Sequence, residues 1–143
     1  MQVNISNLNP GTSYPYPEGG TVVLRKVPPV VSMEIHDTRA KTETDFVPSK
    51  TWNIEMKQWE EDGTTQRIDT RKPGGIEVMH DFWDYAIVSW DFTDEASNPL
   101  PCTRGNKVAL MKGDPLFNAF VEGKIKALGL ELDEKLKAQA KNL

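Results

Sequence analysis

Three carboxylates crowd the stretch SWDFTDEASNPLP, residues 89 to 101: Asp91, Asp94 and Glu95. Neighbouring acids can share proton transfer or hold a divalent cation, so chemistry is looked for here first. Their spacing suits neither task. A calcium loop of the EF-hand kind needs acids at alternating positions, a central glycine and a late glutamate, and the stretch has none of that arrangement. A two-carboxylate hydrolase would need the fold to bring one of these acids against a distant one. The segment reads better as architecture. Trp90 and Phe92 anchor a corner in the core. Asp94, Glu95, Ser97 and Asn98 turn the chain in water, because short polar side chains bond nearby backbone. Leu100, between Pro99 and Pro101, pins a stiff exit.

The remaining reactive residue types are sparse. His36 and His80 are the only histidines and belong to no ligand pattern such as H-E-x-x-H. They read as a surface histidine and one near a helix end. The single cysteine, Cys102, has no identifiable base beside it and reads as a half-buried structural thiol. Alone it forms no internal disulfide, which fits a reducing compartment. The glycine pairs in PEGGT and KPGGI lack both the Walker lysine and the Rossmann spacing, and read as turns. No catalytic, cofactor-binding or metal-binding residue is expected, and the chain is not expected to be an enzyme.

The bulk properties point the same way. A chain of 143 residues favours one domain. Modest aliphatic content and a mean hydropathy of -0.53 predict a small core with extended edges, not a deep cleft. The net charge is -4 and no basic run is present, which disfavours nucleic acid as a partner, since phosphate binding needs a basic face. No stretch approaches the roughly 20 apolar residues of a membrane span. The N-terminus has neither the basic region nor the apolar run of a secretory signal.

Residues 1–20 hold prolines at 10, 15 and 17 and are expected to form an extended arm or a string of turns, a loosely attached tail unless it docks on a partner through Tyr14 and Tyr16. Residues 21–143 are expected to form one small domain. Thr21 to Val27 has the β-branched content of a strand. Val30 to Ile35 alternates and predicts a second strand after Pro28-Pro29. Residues 36 to 48 read as a loop. Ser49 then caps a helix in which Trp52, Met56 and Trp59, at i, i+4 and i+7, share a face. Trp52, Ile54 and Met56 also alternate, so a strand stays open. Pro73-Gly74-Gly75 is a stop. Asp81 to Trp90 fits a helix capped by Asp81, or a strand carrying Ala86, Val88, Trp90 and Phe92 on one side. Thr103 caps a helix through Met111 that Gly113 ends. Asp114-Pro115 opens the last helix. Its stripe Phe117, Val121, Ile125, Leu128, Leu132, Leu136 is amphipathic, with a kink or break expected at Gly129. The expected fold is α+β, mainly helical with a short N-terminal β element and an amphipathic C-terminal helix.

The segment that ends in Trp90, turns through DFTDEASNP and passes through Leu-Pro to a helix opened by Thr103 resembles a pattern in tail assembly chaperones of long-tailed bacteriophages. EGGTVVLRKV, and VPPVV followed by a polar linker and FVPSKTWNIEMKQWEEDG, are similar to small proteins of phage tail modules. Where that family often carries Asn-Pro-x-Asp-Pro, this chain has Phe46-Val47-Pro48-Ser49, and Ala96-Ser97-Asn98 stands where a turn glycine is usual. The resemblance covers residues 20 to 130. It implies a non-enzymatic chaperone or adaptor that binds the apolar tape-measure protein, or another tail or tube protein, in the cytoplasm of an infected bacterial host. It also implies a frameshifted longer form, for which an adenine-rich codon run at Ala140-Lys141-Asn142 is a candidate site.

Trp52, Met56 and Trp59 could then lie against a helical client, and Leu128, Leu132 and Leu136 could serve self-packing, self-association or client contact. Alternatively Trp52, Met56 and Trp59 face the protein's own core. The competing function is a structural component of the tail or neck that stays in the virion, its Pro/Tyr-rich arm embracing a neighbouring subunit.

Overall fold

The computed structural model describes residues 1–141. After a 3-10 turn at Ile5–Asn7 the elements are β1 (Thr12–Pro15), β2 (Thr21–Leu24), α1 (Pro29–Arg39), β3 (Lys41–Asn53), β4 (Gln58–Lys72), α2 (Ile76–Ala86), β5 (Ile87–Trp90), α3 (Arg104–Gly113) and α4 (Pro115–Lys141). They form two separate antiparallel sheets, β1-β2-β5 and β3-β4. The fold is α+β, but not mainly helical with a short N-terminal β element. Strand accounts for 30% of it against 44% helix, and most of that strand lies in the middle of the chain.

The core forms where the three-stranded sheet meets α2, α3 and α4. Alternation in the β-branched run Thr21–Leu24 buries Val22 and Leu24. These meet Trp83, Ile87, Met111, Phe117 and Val121. Phe117 is the hub: the rings of Tyr16, Trp90 and Phe92 stand edge-on to it at 5.7, 6.3 and 5.9 Å. Such edge-to-face packing adds to what burial alone contributes. Residues 12–16 are therefore no loose arm. β1 is the sheet's edge strand, and Tyr14 and Tyr16 pack against the core. Gly20, at φ +83°, lets the β1–β2 turn close against the acidic corner, since a Cβ there would lie 2.8 Å from an Asp91 carboxylate oxygen.

Several further expectations change for local physical reasons. Val30 to Ile35 is helix, not strand, because Pro29 supplies a preset φ at the first helical position. No α1 residue is buried, so its alternation carried no packing information. Asp81 to Trp90 holds both of the alternatives in succession: α2 ends at Ala86 and β5 begins at Ile87 with no residue between. Asp81 caps nothing. It sits within α2 and takes bonds from Arg39 (2.7 and 3.0 Å) and Arg104 (2.5 Å), tying three helices together. Those guanidinium bonds hold its carboxyl down at about 2.

Two of the four capping signals hold, those of Thr103 and Asp114, whereas Ser49 lies within β3 and opens no helix. Thr103 accepts the Asn106 N–H at 3.3 Å, and Asp114 accepts those of Leu116 and Phe117 at 3.1 and 3.2 Å. α4 continues through Gly129 without a break to Lys141. Asn142, part of the proposed codon run, lies outside the described residues.

Candidate functional site

The residues between α1 and α2 form one long β-hairpin. β3 and β4 pair from Lys41↔Lys72 to Asn53↔Gln58. Thr42, Thr44, Val47 and Thr51 on one strand, and Thr64, Thr65, Ile68 and Thr70 on the other, supply the β-branched residues that favour extended backbone. The turn is Ile54-Glu55-Met56-Lys57. Asn53 Oδ1 accepts the Met56 N–H at 3.1 Å, and Lys57 takes a left-handed φ of 51°. A bulge interrupts the ladder at Asp62-Gly63, where Asp62 Oδ1 accepts both the Thr64 N–H (2.9 Å) and its hydroxyl (2.5 Å). Nearer the body, the Thr44 hydroxyl donates to Asp69 at 2.7 Å and Arg67 Nε donates to the same carboxylate oxygen at 3.1 Å.

The hairpin projects from the body. Every β4 residue is exposed, as is every β3 residue except the half-buried Val47, Ser49 and Asn53. At about 3.4 Å per residue the ribbon reaches roughly 40 Å. Its base is fixed in two ways. Arg71 pairs with Asp37 of α1. Gly74 lies so close to Arg39 that an added Cβ would come within 2.2 Å of the arginine Cβ.

Large apolar side chains collect at the tip. Trp52 and Trp59 are cross-strand partners, their rings 5.6 Å apart and 65° to each other. They remain 49% and 64% exposed, beside Met56 at 64% and Ile54 at 80%. The three expected contact residues Trp52, Met56 and Trp59 thus do come together, but across a hairpin turn, not on a helix face. They do not face the protein's own core. Glu55, Glu60, Glu61 and Asp62 outnumber Lys50 and Lys57 around them. Hydrogen bonds from Asn53 and Gln58 hold Glu60 below the usual carboxylate range, and those from Thr64 do the same for Asp62.

The other expected stripe divides. Phe117 and Val121 are buried and Ile125 packs against the core. Leu128 and Leu132 are half-buried, and Leu136 is exposed. Sequence reasoning missed Ile54 and Phe46, the latter 67% exposed on β3. The Asp-Gly pair at 62–63 inside a threonine-rich stretch was the signal for a β ribbon. It also missed an apolar groove of about 370 Å³ on the body, lined by Val27, Val78, Met79, Phe82 and Ile125. At its lip, Glu122 accepts the Trp83 indole N–H at 3.1 Å.

Two of the three acids of the 89–101 stretch, Asp91 and Asp94, are committed to backbone. Asp91 accepts the Thr21 N–H at 2.5 Å and its hydroxyl at 3.0 Å, bonds that hold its carboxyl below the usual range. Asp94 accepts the N–H groups of Ala96 and Asn98. Trp90 Nε1 donates to the Leu100 carbonyl at 2.7 Å, so Leu100 does pin the exit. His80 stacks on Trp83 and His36 stands edge-on to Phe82. Burial raises the pKa of the Cys102 thiol above its ordinary value, which favours the unreactive form. Among the described residues no group of three or more His, Cys, Asp or Glu side chains is placed to hold a metal ion. No helix among them is long and apolar enough to cross a membrane.

No protein-family model, curated protein or solved structure matches the chain.

Proposed function

We propose that this protein is a non-enzymatic assembly factor that grips a partner protein with the tip of its β3–β4 hairpin. One observation carries the reading: Trp52, Ile54, Met56 and Trp59 gather, largely exposed, at the end of an arm that lies apart from the body's core. A two-stranded ribbon in water is marginal without a surface to pack on. Tryptophan dominates binding hot spots, and methionine adapts to irregular partners. The resemblance of the 89–103 segment to phage tail assembly chaperones supplies the setting. The partner would be an apolar tail protein such as the tape measure, held in the host cytoplasm until the tail tube closes around it. A second reading is favoured by the arm's reach of roughly 40 Å: a virion component whose hairpin embraces the neighbouring subunit and stays there.

Two measurements test this. Lysate of infected cells is passed over immobilised wild-type protein and over the Trp52→Ala/Trp59→Ala variant. Loss of one tail-protein partner in the variant alone supports the grip, and unchanged capture of that partner removes it. Peptide mass spectrometry of purified particles against lysate then separates the two readings. Abundance in lysate with absence from particles supports the chaperone. A fixed copy number per particle supports the structural component.

A further inference from the structure

We propose that two copies of this chain pair through the outer edge of β4, antiparallel about Ile68, to form a four-stranded sheet with two-fold symmetry. This does not depend on which partner the hairpin tip takes.

The β3–β4 sheet has only two strands, so each has a free row of backbone N–H and C=O groups. Such edges are templates for pairing with another chain. The two edges are not equivalent. β3 carries Pro48 at mid-strand, which cannot donate to an added strand. β4 contains no proline. Its regular part is bounded by the bulge after Glu61 and by Pro73, so it runs from Thr65 to Lys72 with Ile68 near its middle. A strand that meets its own copy across a two-fold axis must be complementary to itself, and this one is.

With the axis on Ile68, Arg67 stands opposite Asp69 of the second copy, and Asp69 opposite its Arg67. Gln66 faces Thr70, Thr65 faces Arg71, and Ile68 meets Ile68. Opposite charges directly across an antiparallel pair stabilise it, and like charges do the reverse. Moving the axis by one residue sets Arg67 against Arg67 or Asp69 against Asp69. Moving it by two either drives the pairing into the bulge or exhausts the edge at Pro73. The sequence therefore favours one register. Ile68, still 40% exposed with no core of its own to join, gains an apolar neighbour. The tryptophan pair lies beyond the bulge, outside the new seam.

The test uses the full chain and reads its mass by analytical ultracentrifugation across a concentration series. Wild type is expected to dimerise reversibly. Arg67→Asp sets carboxylates against carboxylates on both sides of the axis, and Asp69→Arg sets cations against cations. Each is expected to weaken self-association about ten- to a hundredfold. An equimolar mixture of the two variants is expected to dimerise again, because one strand is then doubly acidic and the other doubly basic there. A change confined to one chain's own fold does not produce that rescue. Independently, Ile68→Cys in a Cys102→Ser background is expected to oxidise to a covalent dimer. Opposed Cα atoms at about 4.5–5.5 Å fit disulfide geometry. A wild-type chain that stays monomeric throughout, a mixture no tighter than either variant alone, or a cysteine variant that does not cross-link overturns the proposal.

Discussion

Replacing Trp59 by alanine should leave the body's stability intact while loosening the hairpin. Trp59 is 64% exposed, so about a third of its side chain is covered. Full burial of a large side chain contributes about 1.5–3 kcal/mol, and a third of that is about 0.5–1 kcal/mol. Losing the tilted contact with Trp52 removes about 0.5–1.5 kcal/mol more. The sum, about 1–2.5 kcal/mol, falls within the hairpin because its tip lies apart from the core. Amide hydrogen exchange at Thr65 to Thr70 should then quicken about 5- to 70-fold. The urea transition of the helices, followed by far-ultraviolet circular dichroism, should move by less than about 0.5 kcal/mol. Phe117→Ala is the contrast. That side chain is 1% exposed at the centre of the aromatic cluster, and its loss should cost about 3–5 kcal/mol across the whole transition. If Trp59→Ala lowers the helical transition as much as Phe117→Ala, the tip is part of the core and the interaction-arm reading fails.

Three further outcomes are expected. Asp81, at about 2 in the folded chain against 3.8 ordinarily, contributes stability that is complete above pH 3.8 and is lost as pH falls through about 2. Arg39 and Arg104 are 36% and 37% exposed, so solvent screening trims the contribution to about 1–2 kcal/mol. The urea-unfolding gap between wild type and Asp81→Asn should be widest near neutral pH and should close in strong acid. Gly74→Ala forces a Cβ into Arg39 and should cost about 1–3 kcal/mol, measured by the same unfolding. Asp114→Ala removes the α4 cap and should cost about 1 kcal/mol, seen as faster exchange at the Leu116 and Phe117 amides.

What the sequence revealed was whatever a few neighbouring residues decide. Thr103 and Asp114 open helices through their own side chains, and Thr21–Leu24 makes a strand from its own β-branched run. The hairpin was hidden because its partners lie on opposite sides of a turn. Trp52 and Trp59 stand seven positions apart in sequence, a spacing shared by two helical turns and by a cross-strand pair spanning a four-residue turn. With both faces in water, no alternation of apolar and polar residues ran the length of its strands, and the one short alternation, Trp52, Ile54 and Met56, runs into the turn. The junction at Ala86–Ile87 was hidden for the opposite reason: both sides are buried and apolar, and no glycine or proline marks the change of period. The site was legible as residue types, Trp52, Met56 and Trp59, but not as geometry.

The chain leaves the body at Lys41 and returns beside it at Lys72, where the two residues are cross-strand partners. To the core, everything between them is a closed parenthesis. Residue pairs could be inserted or deleted there over evolutionary time without renegotiating any buried contact, and the entropic cost of closure grows only with the logarithm of length. Each pair moves the tip by about 3.4 Å, and every second pair restores the direction in which the tryptophans face. The arm is in this sense a ruler that selection can recalibrate to the gap it must span, while the machinery that keeps the protein folded is inherited unchanged.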